Sequence, residues 1–128
     1  MEIVGNGVDI IKNSRIKNLI KNPKFLSRIF SVNEIKDSKK IKNKTNFFAK
    51  RFAAKEAFVK SIGIGFRKGI NFKDISVKKN NLGKPIITYN NKVKKILNKK
   101  FKSKKFNVYV SLSDEKYYSI AYVIVNKL

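Results

Sequence analysis

The sequence predicts an α+β fold, with helices grouped in the first half of the chain and an antiparallel sheet in the second half. Apolar residues recur at helical spacing between residues 14 and 62, whereas they alternate with polar residues from residue 106 onward. The chain has 128 residues, of which 42% are hydrophobic and two are proline, and this suits one core of ordinary size. We therefore expect a single domain over residues 1–128.

The first predicted element is a buried strand over residues 3–11, where most positions are apolar. Gly5 and Gly7 allow a bulge in this strand or the close approach of another backbone. Ser14 is a candidate N-cap for a short helix with a basic outer face, and Pro23 ends that helix. The chain is thus predicted to begin with a strand and a short basic helix.

Another short helix is predicted after Ser31, because Ser31 and Glu34 have the spacing of a capping box. A lysine-rich connection over residues 36–44 leads to the longest predicted helix, residues 45–62, which Gly63 ends. Its apolar arc comprises Phe48, Ala49, Phe52, Ala53, Ala57 and Val59, whereas Lys50, Arg51 and Lys55 lie off that arc.

The remaining elements are predominantly strands. We predict short strands at residues 75–77 and 86–89 around a turn, an amphipathic helix at residues 92–101, and antiparallel strands at residues 106–112 and 118–124. In the last strand the alternating apolar set is Tyr118, Ile120, Tyr122 and Ile124.

The composition excludes several kinds of chemistry. The chain has no cysteine and no histidine, so disulfides, thiolate nucleophiles, zinc fingers and Ser-His-Asp triads are excluded. It also has no run of 18 apolar residues and no signal peptide at its start, so we expect a cytoplasmic protein without a membrane span. Carboxylates, lysines, hydroxyls and the backbone remain for chemistry.

The net charge of +23 predicts attraction to polyanions such as nucleic acids, anionic membranes, phosphorylated cofactors or acidic proteins. Mutational drift is an equally good explanation, because Lys, Asn and Ile together make up 59 of the 128 residues. Only four of the 31 basic residues are arginine, which disfavours specific reading of nucleic-acid sequence.

Two of the eight acidic residues lie outside the usual solvated positions. The other six, at termini, caps, turns or loops, are Glu2, Glu34, Asp37, Asp74, Asp114 and Glu115. Asp9 interrupts the first strand, and Glu56 lies within the apolar arc of the long helix, one turn before Lys60. Two such carboxylates could form a Mg²⁺ site. A Glu56–Lys60 ion pair and a capping role for Asp9 are the simpler alternatives.

Two glycine-containing segments could contact phosphate groups. Residues 63–69 match neither the dinucleotide-binding nor the P-loop spacing, so we interpret them as a helix C-cap and turn. The backbone amides of this turn and the side chains of Arg67 or Lys68 are available to phosphate. The GKP segment at residues 83–85 is, by itself, a turn that enters a strand.

Several motifs, in order and at similar spacing, resemble the holo-[acyl-carrier-protein] synthase family across nearly the whole chain. They are GVDI at residues 7–10, FAKRFAAKEAFVK at 48–60, GIG at 63–65, GKP at 83–85 and VSLS at 110–113. The resemblance implies the 4′-phosphopantetheinyl transferase fold and a Mg²⁺-dependent enzyme of fatty acid biosynthesis. Such an enzyme transfers 4′-phosphopantetheine from coenzyme A to a serine of apo-acyl carrier protein and releases adenosine 3′,5′-bisphosphate.

The same resemblance implies roles for individual residues. Asp9 and Glu56 match the family's metal-binding acids, and Lys60 matches a lysine that stabilises charge on the phosphates. Either Glu56 or a metal-bound water is the candidate base for the serine proton. The positions at which the family contacts coenzyme A are Arg51, Lys55, Lys60, Gly63, Gly65, Gly83, Lys84 and Pro85.

The resemblance also implies partners. Arg15 matches an arginine that docks the acidic carrier protein, and Arg28 is a weaker candidate for the same surface. The family implies a homotrimer with active sites between subunits. Asp114 stands where many members have histidine, so no role that rests on that histidine is carried over. A non-enzymatic polyanion-binding protein and a transferase for another carrier domain remain alternatives.

Overall fold

The computed structural model describes residues 1–67 and 69–128, without the side chain of Arg67. The elements, in chain order, are β1 (Glu2–Lys12), α1 (Asn13–Leu19), α2 (Pro23–Ile29), α3 (Val32–Ser38), α4 (Lys44–Ser61), β2 (Ile75–Lys79), β3 (Pro85–Tyr89), α5 (Asn91–Phe101), β4 (Phe106–Asp114) and β5 (Tyr118–Lys127). Short 3-10 helices lie at Gly65–Arg67 and Phe72–Asp74. The predicted α+β fold class is confirmed.

Two antiparallel sheets form the β part of the fold. The larger sheet has the strand order β1-β5-β4, so the first strand of the chain pairs with the last. β2 and β3 form a separate hairpin. The pairing of β1 with β5 shifts between Ile3 and Gly5, which confirms the irregularity predicted for this strand.

α4 lies across the three-stranded sheet and fills the centre of the core. Its buried residues include Phe48, Ala53 and Phe58. β1 approaches it closely, because a Cβ at Gly5 would overlap the carbonyl oxygen of Ser61 and a Cβ at Gly7 that of Ala57. Backbone therefore packs against backbone where β1 crosses α4, as the glycines predicted.

The short helices differ in part from the prediction. α1 begins at Asn13 with Lys12 as its N-cap, so the prediction that Ser14 caps it is wrong. The side chain of Asn13 instead donates to the main-chain oxygen of Glu115, which ties α1 to the turn before β5. Pro23 is the first residue of α2, a helix that the pattern did not predict.

The capping box of α3 is confirmed, but its glutamate is not solvated as predicted. Glu34 is 1% exposed, and its Oε1 accepts from the backbone N–H of Ser31. The same oxygen accepts from Lys55 Nζ at 2.6 Å, and Oε2 accepts from the N–H of Val77 at 2.9 Å. Glu34 is buried because these partners from α4 and β2 replace its hydration.

The faces of the outer strands also differ from the prediction. In β5 the core side carries Ser119, Ala121, Val123 and Val125, whereas the predicted apolar set lies on the other, more exposed side. In β1, Val8 is 55% exposed and Ile10 is exposed beside it, so β1 is buried on one face only. β5 is apolar on both faces, whereas the side of β1 that meets α4 carries Gly7 and Asp9 and its outer side carries Val8 and Ile10. A period-2 pattern alone therefore does not say which face meets α4.

The second half of the chain otherwise follows the prediction. The β2–β3 hairpin, α5 and the β4–β5 hairpin lie within a few residues of the expected bounds. Asn90 caps α5 by accepting from the N–H of Val93, and Leu97 is fully buried on its inner face. Over residues 1–67 and 69–128, no helix combines the length and the hydropathy that crossing a membrane requires.

Candidate active site

The fold brings Asp9 and Glu56 together where β1 crosses α4. Asp9 has the same strand parity as Gly7, so its side chain lies on the α4 side of β1. Glu56 immediately precedes Ala57, the residue whose carbonyl Gly7 approaches. Both acids are half-buried, and the close backbone packing brings the charge of Asp9 near enough to raise the pKa of Glu56.

Lys60 binds the aspartate and not the glutamate. Its Nζ donates to Asp9 Oδ1 at 3.0 Å and to the main-chain oxygen of Val8 at 3.1 Å. In the described part of the chain, Glu56 forms no ion pair within 4 Å. The alternative of a Glu56–Lys60 ion pair is therefore wrong, and Asp9 acts as a lysine partner instead of a cap.

The pKa of Glu56 is raised above its ordinary value of 4.5. Burial is the largest cause, the charge of Asp9 adds to it, and Lys60 and Arg15 oppose it. A cation between the two acids would relieve both unfavourable effects, and carboxylate oxygens are ligands that Mg²⁺ prefers. The described residues hold no cluster of three or more metal-binding side chains, so within one chain the two acids leave positions on such an ion for water or phosphate oxygens.

A second part of the predicted site is a cationic cavity of about 540 Å³. Among the predicted coenzyme A residues, Arg51, Lys84 and Pro85 line it. Lys50 and Lys79 also line it, and the sequence did not single them out for function. Nothing in the local pattern distinguishes these two lysines from the many others of the chain.

Arg51 is 3% exposed, although the helical wheel placed it off the apolar arc. Its guanidinium lies 3.5 Å from the centre of the Phe47 ring and donates to the main-chain oxygen of Phe47. Burial lowers its pKa, and its Nε has no hydrogen-bond partner among the described residues. The planar, delocalised cation tolerates this position because it stacks on the ring.

Lys55 is also buried, and this argues against its predicted contact with coenzyme A. The residue is fully buried, and its Nζ donates to Glu34 Oε1 at 2.6 Å and to the main-chain oxygen of Ile29 at 2.8 Å. Burial lowers its pKa and the charge of Glu34 opposes that shift. Within one chain Lys55 therefore joins α4 to α2 and α3. It is not among the residues that we propose to bind coenzyme A.

The predicted turns have the expected backbone. Gly63 and Gly65, which follow α4, have φ values of 70° and 68°, and Gly83 in the β2–β3 turn has a φ of 80°. These values suit glycine and confirm the predicted turns. Lys68 and the side chain of Arg67, which we predicted to be available to phosphate, lie outside the described residues.

Asp114 closes one side of the cationic cavity. Its Oδ1 lies 3.3 Å from Lys50 Nζ, and its Oδ2 accepts from Asn46 Nδ2 at 2.8 Å. Asp114 therefore joins the end of β4 to α4. No local pattern predicts this contact, because Asn46 and Asp114 are 68 positions apart.

The two predicted docking arginines lie on neighbouring helices. Arg15 of α1 is exposed, with its guanidinium 5.9 Å from the centre of the Phe52 ring. Arg28 of α2 lines another cavity, which also contains Phe66 and Phe72. Their roles in docking stay predictions.

The described residues that line the cationic cavity do not include Asp9, Glu56 or Lys60. Gly63 lines a third cavity, beside α5. Within one chain, the acid pair and the cationic cavity therefore lie in separate places.

Comparison with known proteins identifies the family. The 4′-phosphopantetheinyl transferase superfamily matches residues 5–123. A holo-[acyl-carrier-protein] synthase of Pelagibacter ubique (strain HTCC1062) is 55% identical over 127 residues, which cover 99% of each chain. The crystal structure of holo-[acyl-carrier-protein] synthase from Neisseria meningitidis is 36% identical, covers 98% of this chain and 99% of that chain, and has a TM-score of 0.87. A holo-(acyl-carrier-protein) synthase from Bacillus anthracis, solved in complex with CoA (3′,5′-ADP), is 35% identical, covers 100% of both chains and has a TM-score of 0.83. The chain belongs to the 4′-phosphopantetheinyl transferase superfamily and, within it, to the holo-[acyl-carrier-protein] synthase family.

Proposed function

We propose that the chain transfers 4′-phosphopantetheine from coenzyme A to a serine of an apo-acyl carrier protein in fatty acid biosynthesis. The serine oxygen forms a bond to the β-phosphorus, the bond from that phosphorus to the bridging oxygen breaks, and adenosine 3′,5′-bisphosphate leaves. The observation that carries the proposal is the pair of half-buried acids, Asp9 and Glu56, with Lys60 beside them. The names of the relatives and the coenzyme A complex of one of them support the substrates.

Asp9 and Glu56 fit a magnesium ion, and we propose that they hold it. They supply two hard oxygen donors from different elements, and their mutual repulsion favours a cation between them. When bound, the ion supplies electrostatic stabilisation of charge on the diphosphate. Lys60 would then exchange its bond to Asp9 for one to a phosphate oxygen. Its side chain is 52% exposed, so it has room to move.

Glu56 is also our candidate for the group that accepts the serine proton. The Glu56 carboxylate has two oxygens, so one can hold the ion while the other accepts the proton. Its half-buried position leaves one side open for a substrate hydroxyl.

We propose that Arg51, Lys84 and Pro85 bind coenzyme A in the cationic cavity, with Gly83 in the turn beside it, while Gly63 and Gly65 contact it near the acid pair. Since the cavity and the acid pair share no described residue, a second copy of the chain would bring them together. This supports the homotrimer that the family resemblance implies. The carrier protein would dock on the basic surface of α1 and α2 through Arg15 and Arg28, and the cytoplasm stays the predicted location.

A mass-shift assay tests this function. The protein, coenzyme A, Mg²⁺ and apo-carrier are incubated, and the mass of the carrier is expected to rise by one phosphopantetheine group unless a chelator is present. Asp9→Ala and Glu56→Ala should each lower the rate at least about 100-fold, since each removes a group that binds or stabilises the reacting phosphates.

Glu2→Ala is the matched control, because it removes an exposed carboxylate from the same strand as Asp9. Its rate should stay within about twofold of the unmodified protein, as expected for a surface substitution. The absence of any mass shift, with nucleic-acid binding that is indifferent to Mg²⁺, would instead support a polyanion-binding protein.

A further inference from the structure

Lys100 of α5 reaches the C-terminal end of α4. Its Nζ donates to the main-chain oxygen of Ile62 at 2.5 Å. Ile62 is the C-cap of α4, and the last carbonyls of a helix have no partner within the helix itself. Lys100 therefore supplies, from a distant part of the chain, a hydrogen bond that α4 cannot make internally.

Gly63 provides the space for this contact. A Cβ at this position would lie 3.0 Å from Lys100 Nζ, which is closer than side chains normally pack. Its φ of 70° is also a conformation that glycine adopts without strain. The glycine after α4 thus meets two requirements, a left-handed turn and the passage of the lysine side chain.

The lysine extends from a well-fixed helix. Val93 and Leu97 of α5 are fully buried, and Asn90 caps its first turn. Lys100 lies three residues after Leu97, at the end of the same helix. Lys100 itself is exposed, so the packing of α5 positions the base of its side chain, and the hydrogen bond to Ile62 holds its ammonium group.

The contact is continuous with the proposed phosphate-binding lysine. The N–H of Gly63 donates to the main-chain oxygen of Lys60 at 3.1 Å, and the N–H of Ile62 donates to that of Phe58 at 3.2 Å. One hydrogen-bonded turn therefore contains Lys60, Ile62 and Gly63, and Lys100 binds the main-chain oxygen of Ile62 in that turn. No motif of the sequence includes Lys100.

We propose that Lys100 is a positioning residue, which holds residues 62–65 in the backbone conformation that binds coenzyme A. This inference rests on the proposed function, because it assumes that the turn contacts the phosphates of coenzyme A. Lys100 itself does not need to touch the substrate. Its ammonium group acts through the carbonyl of Ile62 and the glycine beside it.

The kinetic test compares substitutions at Lys100 with one at Lys99. Lys100→Met should raise the KM for coenzyme A about tenfold, because one hydrogen bond from a charged donor is lost, while kcat stays within about twofold. Lys100→Arg keeps a charged donor and should restore KM to within about twofold. Lys99→Met is the control, because it removes the same charge from the same cavity beside α5. In the described part of the chain Lys99 makes no hydrogen bond to α4, so the KM for coenzyme A should change less than about twofold.

Hydrogen exchange gives a measurement that does not depend on activity. The amides of Ile62 and Gly63, which donate to the main-chain oxygens of Phe58 and Lys60, should exchange faster in Lys100→Met than in the unmodified protein and at the unmodified rate in Lys99→Met. If the unmodified protein modifies no carrier, the proposed function fails, while exchange still decides whether Lys100 holds the turn. Unchanged exchange, an unchanged KM with a lower kcat, or equal effects at Lys99 and Lys100 would each overturn the inference.

Discussion

At Glu56, burial and the charge of Asp9 disfavour the ionised carboxylate, while Lys60 and Arg15 favour it. An acid in this environment costs stability in the free protein, and a bound cation would offset that cost. The sequence could reveal Asp9 and Glu56 because acids are scarce and these two lie outside caps and turns. It could not reveal Lys50 or Lys79, because 31 basic residues look alike until the fold brings two of them to one cavity.

The raised pKa of Glu56 predicts how stability depends on pH. Between its ordinary value of 4.5 and its higher folded value, the folded protein binds the proton more readily than the unfolded chain. This favourable contribution is fully present below about pH 4.5 and is lost as the pH rises through the folded value. Glu56→Gln stays neutral, so it should melt at a higher temperature than the unmodified protein at pH 7.

Thermal unfolding with a chelator, from pH 4 to pH 8, measures this difference. The advantage of Glu56→Gln should shrink as the pH approaches the ordinary value of 4.5. Glu2→Gln, which changes an exposed acid of β1, serves as the control and should show no such trend. A Glu56→Gln protein that melts below the unmodified one at pH 7 would contradict the unfavourable environment described for Glu56.

At the scale of an element, α4 places a cation in the core with Lys55 and another at the core's edge with Arg51. The helical pattern placed both residues off the apolar arc, because periodicity treats every lysine and arginine as solvated. The burial of Lys55 depends on Glu34, whose capping box was predictable, whereas its bonds to Lys55 and Val77 were not. These partners lie 21 and 43 positions away in the sequence, so no local rule connects them.

The Glu34–Lys55 pair should be a major determinant of stability. Lys55→Met leaves the Glu34 carboxylate buried without its cation and should lower the free energy of unfolding by about 3–5 kcal/mol, measured by urea denaturation. Lys50→Met is the control on the same helix. It breaks a partly exposed ion pair with Asp114 and should cost at most about 1 kcal/mol. Equal losses of unfolding free energy in the two variants would show that the buried pair contributes no more to stability than the exposed pair.

At the scale of the whole molecule, the sheet face opposite α4 is strongly apolar. Its exposed members include Val8, Ile10, Tyr109, Ile120 and Tyr122, which lie side by side in the register of β1, β5 and β4. A contiguous apolar patch of this kind marks an interaction surface. It supports the proposed homotrimer, which would also bring the cationic cavity of one copy to the acid pair of another.

A charge on this face should separate the subunits. Tyr122→Glu places a carboxylate in the centre of the patch, so sedimentation should give a mass near one chain, whereas the unmodified protein should give a mass near three. Transferase activity should fall with it. Leu82→Glu, which changes an exposed residue in the β2–β3 turn, is the control and should leave the mass unchanged. An unmodified protein that sediments as a single active chain would refute the trimer.

The net charge of +23 should act on the encounter with the acidic carrier protein. Arg15→Glu should raise the KM for the carrier about tenfold at low salt and leave the KM for coenzyme A within about twofold. Added salt should raise the KM of the unmodified protein for the carrier. It should also narrow the difference in this KM between the unmodified protein and Arg15→Glu. Lys95→Glu makes the same charge reversal on α5, and an equal effect there would show that net charge, and not a docking surface, matters.

Local patterns were enough to predict the fold class, the long central helix, the hairpins and the two acids of the proposed site. Each of these depends on a local pattern or on an unusual residue in a known place. The folded chain was needed to establish which sheet face meets α4, which cations are buried, and that Lys60 binds Asp9 instead of Glu56. These outcomes depend on contacts between residues far apart in the chain, where burial and charge pairing set the free energy and local spacing carries no information.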